Sequence, residues 1–173
     1  AEARKLAQLA SMAPVDADGT RQFVVCSGGG PSIMEAANRG AQDVGKESVG
    51  LNIVLPHEQA PNPYVTPSLS FQFHYFALRK MHFLLRARAV AVFPGGFGTF
   101  DEFFELLTLI QTGKIKPMPV LLFGAEFWAR VVNFEALADE GVINRRDLDI
   151  ITRVETADEA WAVVQGWYNG GGK

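Results

Sequence analysis

Cysteine is nearly absent: Cys26 is the only one among 173 residues. A lone cysteine makes no internal disulfide. With three histidines and no CxxC pair there is also no Cys/His set for a structural zinc. No metal is expected, and the composition suits a reducing, cytoplasmic setting. No apolar run approaches the ~18–20 residues of a membrane-spanning helix, so no membrane partner is expected. Excess charge is missing too: 16 basic residues against 19 acidic ones leave a net charge of −3. Such a chain does not grip a nucleic acid polymer through bulk electrostatics. What remains is 48% hydrophobic, enough to bury a core, at a length that suits one domain spanning 1–173.

Strand-like and helix-like segments alternate along the chain. Residues 2–13 are helical in pattern, with Leu6, Leu9 and Ala13 at helical spacing. A turn over 16–20 precedes a short apolar strand, QFVVCS (22–27), which SGGGP breaks. Ser32-Ile33-Met34-Glu35 has the capping-box form, so a helix is expected from there to about Val44. SVGLNIVL (48–55) reads as a strand, and a loop with Pro56, Pro61, Pro63 and Pro67 follows. LSFQF (69–73) reads as a strand and HYFALRKMHFLLRA (74–87) as a helix. AVAVF (89–93) is a buried strand that runs into PGGFGT. A long helix then reaches about Thr112, where Gly113 ends it. MPVLLF (118–123) and DIITRV (149–154) are further strands. One or two helices lie between them, a last helix follows, and the GGGK tail is expected to fray. Continuously apolar strands alternating with helices predict an α/β fold: a Rossmann-like, doubly wound parallel sheet flanked by helices.

Ligands of such sheets sit beyond the carboxyl ends of the strands. Two glycine turns hold that position: Ser27-Gly28-Gly29-Gly30-Pro31 and Pro94-Gly95-Gly96-Phe97-Gly98-Thr99. Each follows a strand and opens a helix. Glycines let main-chain N–H groups approach an anion, and the helix end adds about half a positive charge. The dinucleotide fingerprint is absent, because Ile33 and Asp101 stand where its third glycine is needed, and there is no GxxxxGK[ST] loop. A monophosphate is therefore the expected guest. Short glycine-containing turns also join strands to helices with no ligand at all.

Asp101 and Glu102 follow the second turn directly. Thr99 and Glu102 also fit a capping box, which would give Glu102 a merely local task. A carboxylate beside a phosphate loop makes better sense with a cation or a reacting centre between them. Asp101, ~100° around the helix, is expected to face elsewhere. Arg79, His82 and Arg86 are spaced to share one helix face, and Arg79 is the candidate cation. Cys26 reads as core, and the tryptophans 128, 161 and 167 as core or interface. A pyridoxal phosphate enzyme would need a lysine for a Schiff base. Lys46, Lys80, Lys114 and Lys116 are available, but none has a recognisable cofactor setting, and no cofactor is expected.

PGGFGTFDE with Arg79-Lys80 upstream, and SGGGPSIMEAANRGA, resemble one family over roughly residues 2–165. It is that of the LONELY GUY-type cytokinin riboside 5′-monophosphate phosphoribohydrolases, long filed as "possible lysine decarboxylase". The family motif is PGGxGTxxE with a paired Arg-Lys. LNIVLPHEQAPNPY and LLTLIQTGKI look like its broader bacterial branch. The resemblance implies hydrolysis of the N-glycosidic bond of a nucleoside 5′-monophosphate, such as AMP or a cytokinin riboside monophosphate. The products would be a free base and ribose 5-phosphate. It implies Arg79 and Glu102 as catalytic residues. Gly28, Gly29, Gly30, Lys80, Gly95, Gly96, Gly98 and Thr99 would bind substrate, in a homodimer or larger homo-oligomer. A carrier of the same fold that binds a nucleotide or cofactor without cleaving it is the alternative. Two departures stand out. Ser32 occupies a position where many relatives have glycine, and the family's strand ahead of the first helix is missing. Since the sequence opens on Ala1, the natural chain is expected to begin upstream.

Overall fold

A computed structural model describes residues 1–15, 17–54 and 60–170. The chain divides into two compact units, Ala1–Arg86 and Ala87–Lys173, each built on a three-stranded parallel sheet. The α/β class with parallel strands flanked by helices is as the sequence leads one to expect. Leu55, Pro56, Asp16 and the GGGK tail beyond Gly170 lie outside the described residues.

The first unit contains α1 (Glu2–Ser11), β1 (Val25–Ser27), α2 (Ile33–Asp43), β2 (Ser48–Ile53), β3 (Ser70–Phe73) and α3 (Phe76–Leu84). Its sheet runs in the order β1-β2-β3, with Val25 opposite Ser48 and Gly50 opposite Ser70. Parallel neighbours cannot be joined by a hairpin, so α2 carries the chain from β1 to β2. On α1 the tightest burial falls on Ala3, Ala7 and Ser11 rather than on Leu6 and Leu9. The reason is close approach. Gly40 of α2 lies against the Arg4 carbonyl and the Ala7 methyl, leaving no space for a side chain. At the edge of this contact Arg4 grips Asp43 with two bonds of 2.5 and 2.8 Å, and Gln8 adds a third at 2.9 Å. The Arg4 hydrogen bond is the main reason that the Asp43 carboxyl titrates below its ordinary range.

The second unit contains β4 (Val90–Val92), α4 (Phe97–Gln111), β5 (Val120–Phe123), α5 (Ala125–Val131), α6 (Phe134–Asp139), β6 (Ile151–Val154) and α7 (Ala157–Asn169). The sheet order is β4-β5-β6. Central β5 is buried along its whole length, as a strand covered on both faces should be. Phe103 and Leu106 of α4, Trp128 of α5 and Phe134 of α6 fill the core. The Trp128 indole N–H donates to the Phe123 carbonyl at 2.9 Å, so the ring is buried without an orphaned donor. Trp128 is thus core, as its sequence setting suggests, while Trp161 and Trp167 are half-buried on α7. Gly113, at φ 67°, closes α4 as expected.

Three local expectations are corrected. Ser32 precedes α2 but makes no side-chain cap, because its backbone stands at φ 64°, ψ −118°. A cap residue needs an extended backbone to turn its oxygen onto the helix amides. α4 begins at Phe97 with Gly96 as its cap residue, not at Thr99, so Thr99 and Glu102 both lie inside the helix and do not form its N-terminal capping box. Helix α3 stops at Leu84, so Arg86 falls in the turn beyond it and leaves the face expected to hold Arg79, His82 and Arg86 together.

Candidate functional site

The first glycine turn is wired from beneath by buried polar side chains. Ser27 Oγ accepts from the Gly29 amide at 3.0 Å and donates to Asn38 Oδ1 at 2.6 Å. Asn38, wholly buried on α2, donates to Ser48 Oγ at 3.0 Å. Asn62 donates from its carboxamide to Asn38 Oδ1 at 2.9 Å and to the Gly30 carbonyl at 3.0 Å. Its main-chain N–H donates to the Gly29 carbonyl at 2.8 Å. The carbonyls of Gly29 and Gly30 are therefore both engaged, and the turn's shape is fixed from β1, β2, α2 and the loop at Asn62. Each buried polar group in this set is satisfied by another, which is the condition for keeping such a network stable. The sequence analysis missed Asn38 and Asn62. Their signals were an amide directly after the small, apolar pair Ala36-Ala37 inside a helix, and an asparagine set between Pro61 and Pro63.

Side chains press on the same turn from above. Arg79 of α3 donates from Nε to the Leu51 carbonyl at 2.6 Å. Its Nη2 stands 2.6 Å from where a Cβ on Gly28 would lie, and its guanidinium sits 5.1 Å from the centre of the Phe83 ring. The Met34 thioether covers Gly28 and Gly30. The Asn52 carboxamide lies against Gly29, whose φ of 71° is itself glycine territory. Gly28, Gly29, Gly30 and Arg79 are thus brought together, a placement of Arg79 on the first turn that the sequence did not announce. Lys80 follows on α3 and is half-buried. His82 is exposed, with its ring 5.3 Å from that of Phe73. Cys26 of β1 has an open outer surface, yet desolvation around the sulfur pushes its thiol up to about 11 against the pull of Arg79. It is a protonated thiol at neutral pH and a poor nucleophile.

The second turn differs in what surrounds it. Pro94 packs against Gly124, which sits at φ 83° after β5 and has no Cβ to obstruct the ring. The Thr99 side chain fills the space beside Gly95. Around Gly96 and Gly98 nothing stands within 4 Å of an added Cβ, and Phe97 between them is 96% exposed. The amides of Thr99 and Phe100 turn back onto the Gly96 carbonyl at 3.0 and 3.2 Å. Those of Phe97 and Gly98 lie ahead of the first intrahelical bond, at the positive end of a fifteen-residue helix. One turn further along α4, Glu102 is half-buried and its Oε2 is shielded from solvent. Asp101 points into solvent, as its helical offset suggests. Phe100 and Phe103 pack at a tilt on Trp128, with ring centres 5.2 and 5.4 Å away, which fixes the rotation of α4 and hence the side on which Glu102 emerges.

Arg79 belongs to the first unit and Glu102 to the second. Lys46, Lys114 and Lys116 are exposed, an unsuitable setting for a Schiff-base lysine, which depends on desolvation to lose its proton. Among the described residues no group of three or more His, Cys, Asp or Glu could hold a metal ion, and no helix is long and apolar enough to cross a membrane.

Comparison with known proteins agrees with the motif. The family model described as "Possible lysine decarboxylase" matches residues 34–164, a span that takes in Arg79, the whole second turn and Glu102. The chain belongs to this family. A member from Escherichia coli (strain K12), the pyrimidine/purine nucleotide 5′-monophosphate nucleosidase, is 30% identical over 116 residues. Those cover 61% of this chain and 25% of that protein. The cytokinin riboside 5′-monophosphate phosphoribohydrolase LOG2 of Arabidopsis thaliana is 27% identical over 140 residues, covering 79% of this chain and 64% of its own. The chain therefore spans a quarter of the bacterial relative and just under two thirds of the plant one. In fold it is similar to the molybdenum cofactor carrier protein of Chlamydomonas reinhardtii, with a TM-score of 0.65 at 17% identity over 97% of this chain and 86% of that one.

Proposed function

We propose that this protein is a nucleoside 5′-monophosphate phosphoribohydrolase, cleaving AMP or a cytokinin riboside monophosphate with water to a free base and ribose 5-phosphate. The observation that carries this reading is the open second turn. Gly96 and Gly98 have no packing partner that requires glycine, and neither stands at a positive φ. Their small size is explained if an anion approaches the main chain there. Gly95, Gly96, Gly98 and Thr99 then hold the phosphate at the N-terminus of α4, where amides and helix dipole favour it. The two family members named for nucleotide monophosphate substrates support the same substrate class.

Breaking an N-ribosidic bond leaves positive charge on the sugar ring, as in glycoside hydrolysis. Glu102, one turn behind the phosphate grip, is the carboxylate that stabilises this charge and orients the attacking water. The C1′–N bond breaks as the water oxygen bonds to C1′, and the departing base takes up a proton. Arg79, held by the Leu51 carbonyl against Gly28, orients the nucleotide, with Gly28, Gly29, Gly30 and Lys80 as further binding groups. No step calls for a metal or an organic cofactor. The protein assembles at least as a homodimer. Leu78, Met81 and Leu85 support this as an exposed apolar stripe along α3 and the turn at its end. The free Cys26 agrees with a cytoplasmic location.

The test is a base-release assay over a panel of nucleoside monophosphates, including isopentenylated AMP. The parent should release base, and Glu102→Gln and Arg79→Ala should each lose about 100-fold or more in kcat. Variants that turn over like the parent would remove these residues from the mechanism. Tight binding of a monophosphate without any base release would leave a carrier instead of an enzyme.

A further inference from the structure

Asparagine is an unusual choice inside β2, whose other residues are small or apolar: Ser48-Val49-Gly50-Leu51-Asn52-Ile53. Asn52 is only 8% exposed, and its Nδ2 is closed to solvent without a hydrogen-bond acceptor among the described residues. The contrast within the same unit is sharp. The carboxamides of Asn38 and Asn62 are equally buried, yet both have acceptors at 3.0 Å or less. A buried donor without an acceptor destabilises the fold, and one that persists calls for an explanation.

Placement supplies it. The Asn52 carboxamide lies on the first glycine turn, its Oδ1 and Nδ2 2.5 and 2.6 Å from where a Cβ on Gly29 would stand. The adjacent residue of β2, Leu51, holds Arg79 through its carbonyl, and Arg79 Nη2 lies on Gly28. Two consecutive residues of one strand thus bring a guanidinium and a carboxamide onto consecutive glycines. Over Gly28 and Gly30, to either side of Asn52, lies the Met34 thioether, 36% exposed and freely rotatable.

We propose that Asn52 is a further substrate-binding residue: its carboxamide donates a hydrogen bond to an acceptor oxygen of a nucleoside monophosphate seated on the first glycine turn beside Arg79, once Met34 swings aside. This rests on the substrate class proposed above. The hydrogen bond that Asn52 Nδ2 does not make within the chain is then made to the ligand, so the fold gives up stability for affinity.

The experiment uses the full chain with AMP, or whichever monophosphate of the panel the parent binds most tightly. It reads calorimetric Kd, steady-state KM and kcat, and the melting temperature without ligand. Asn52→Leu, close in shape and without polar atoms, should melt at or above the parent temperature. Its Kd and KM should rise about tenfold or more while kcat stays within about threefold. Asn52→Asp, which replaces the donor by a carboxylate facing an anionic ligand, should weaken binding further, about 100-fold. A purely structural asparagine would give the reverse, a lower melting temperature with unchanged Kd. Should Asn52→Leu not fold, parental affinity in Asn52→Asp overturns the inference by itself. A parent that binds AMP without releasing adenine, with affinity lost in the variants, sinks the catalytic reading and keeps this one. A parent that releases adenine, with variants at parental KM, sinks this one alone. A parent that neither binds nor cleaves any monophosphate sinks both.

Discussion

The two glycine turns look alike in sequence and are opposite in construction. At the first, every glycine has a neighbour pressed on it: Arg79 and Met34 at Gly28, Asn52 at Gly29, Met34 at Gly30. Its carbonyls are tied down by Asn62 and its shape by the Ser27–Asn38–Ser48 chain. At the second, only Gly95 is claimed, by Thr99, while Gly96 and Gly98 border open space. A glycine is selected either because the protein needs the room or because a ligand does. The first turn shows the former. The second, with open space at Gly96 and Gly98, leaves the main chain itself uncovered.

That difference can be broken by adding one methyl group to each turn. Gly98→Ala lies within the first turn of α4 at a site with no steric conflict, so it should raise stability by up to about 1 kcal/mol. If phosphate rests on that backbone, the same methyl displaces it, and kcat/KM should fall about 100-fold. Gly29→Ala should do the opposite in kind. It meets Asn52 and a φ of 71°, so it should cost about 1–3 kcal/mol in urea unfolding. A Gly98→Ala protein with full activity would mean that the open space at the second turn holds no ligand.

A second variant tests the wiring beneath the first turn. Asn38 receives hydrogen bonds from Ser27 and Asn62 and gives one to Ser48. Asn38→Ala leaves those groups buried with partners missing, and the expected loss is about 2–3 kcal/mol. An unfolding midpoint within error of the parent would mean that water replaces the amide without cost, and that the turn is less rigidly held than its hydrogen bonds imply.

Much of this was readable from the chain. Short, continuously apolar runs bounded by turn residues located the strands and a 3.6-residue repeat the helices, because a strand covered on both faces and a helix covered on one bury different patterns. The turns, Arg79 and Glu102 stood out as candidates because glycine, proline and charge are costly where they serve no purpose. What escaped depends on contacts distant in sequence. Asn38, Asn62 and Asn52 are ordinary polar letters until α2, β2 and the Asn62 loop fold around one turn. The Ser32–Glu35 capping box failed for a similar reason: the chain must bend sharply from the first turn into α2. That bend takes Ser32 to φ 64°, where its hydroxyl cannot cap.

Ser32 also provides the smallest effect and the finest probe of the contrast. Its φ and ψ, 64° and −118°, belong to a region that a side chain enters only under strain, typically about 1–3 kcal/mol. Its hydroxyl returns nothing to the helix as a cap. Ser32→Gly removes the strain but makes the unfolded chain more flexible, which takes back part of the gain. The net expectation is a rise of about 1 kcal/mol in unfolding free energy, read as a higher urea midpoint at constant slope. A glycine at this position is then the relaxed form of the bend, and serine holds it under strain. If Ser32→Gly instead lowers the midpoint, the hydroxyl is anchoring the turn. If the midpoint rises while affinity for the monophosphate falls, the strained serine is retained for the ligand, and the first turn binds through its serine as well as through Arg79 and Asn52.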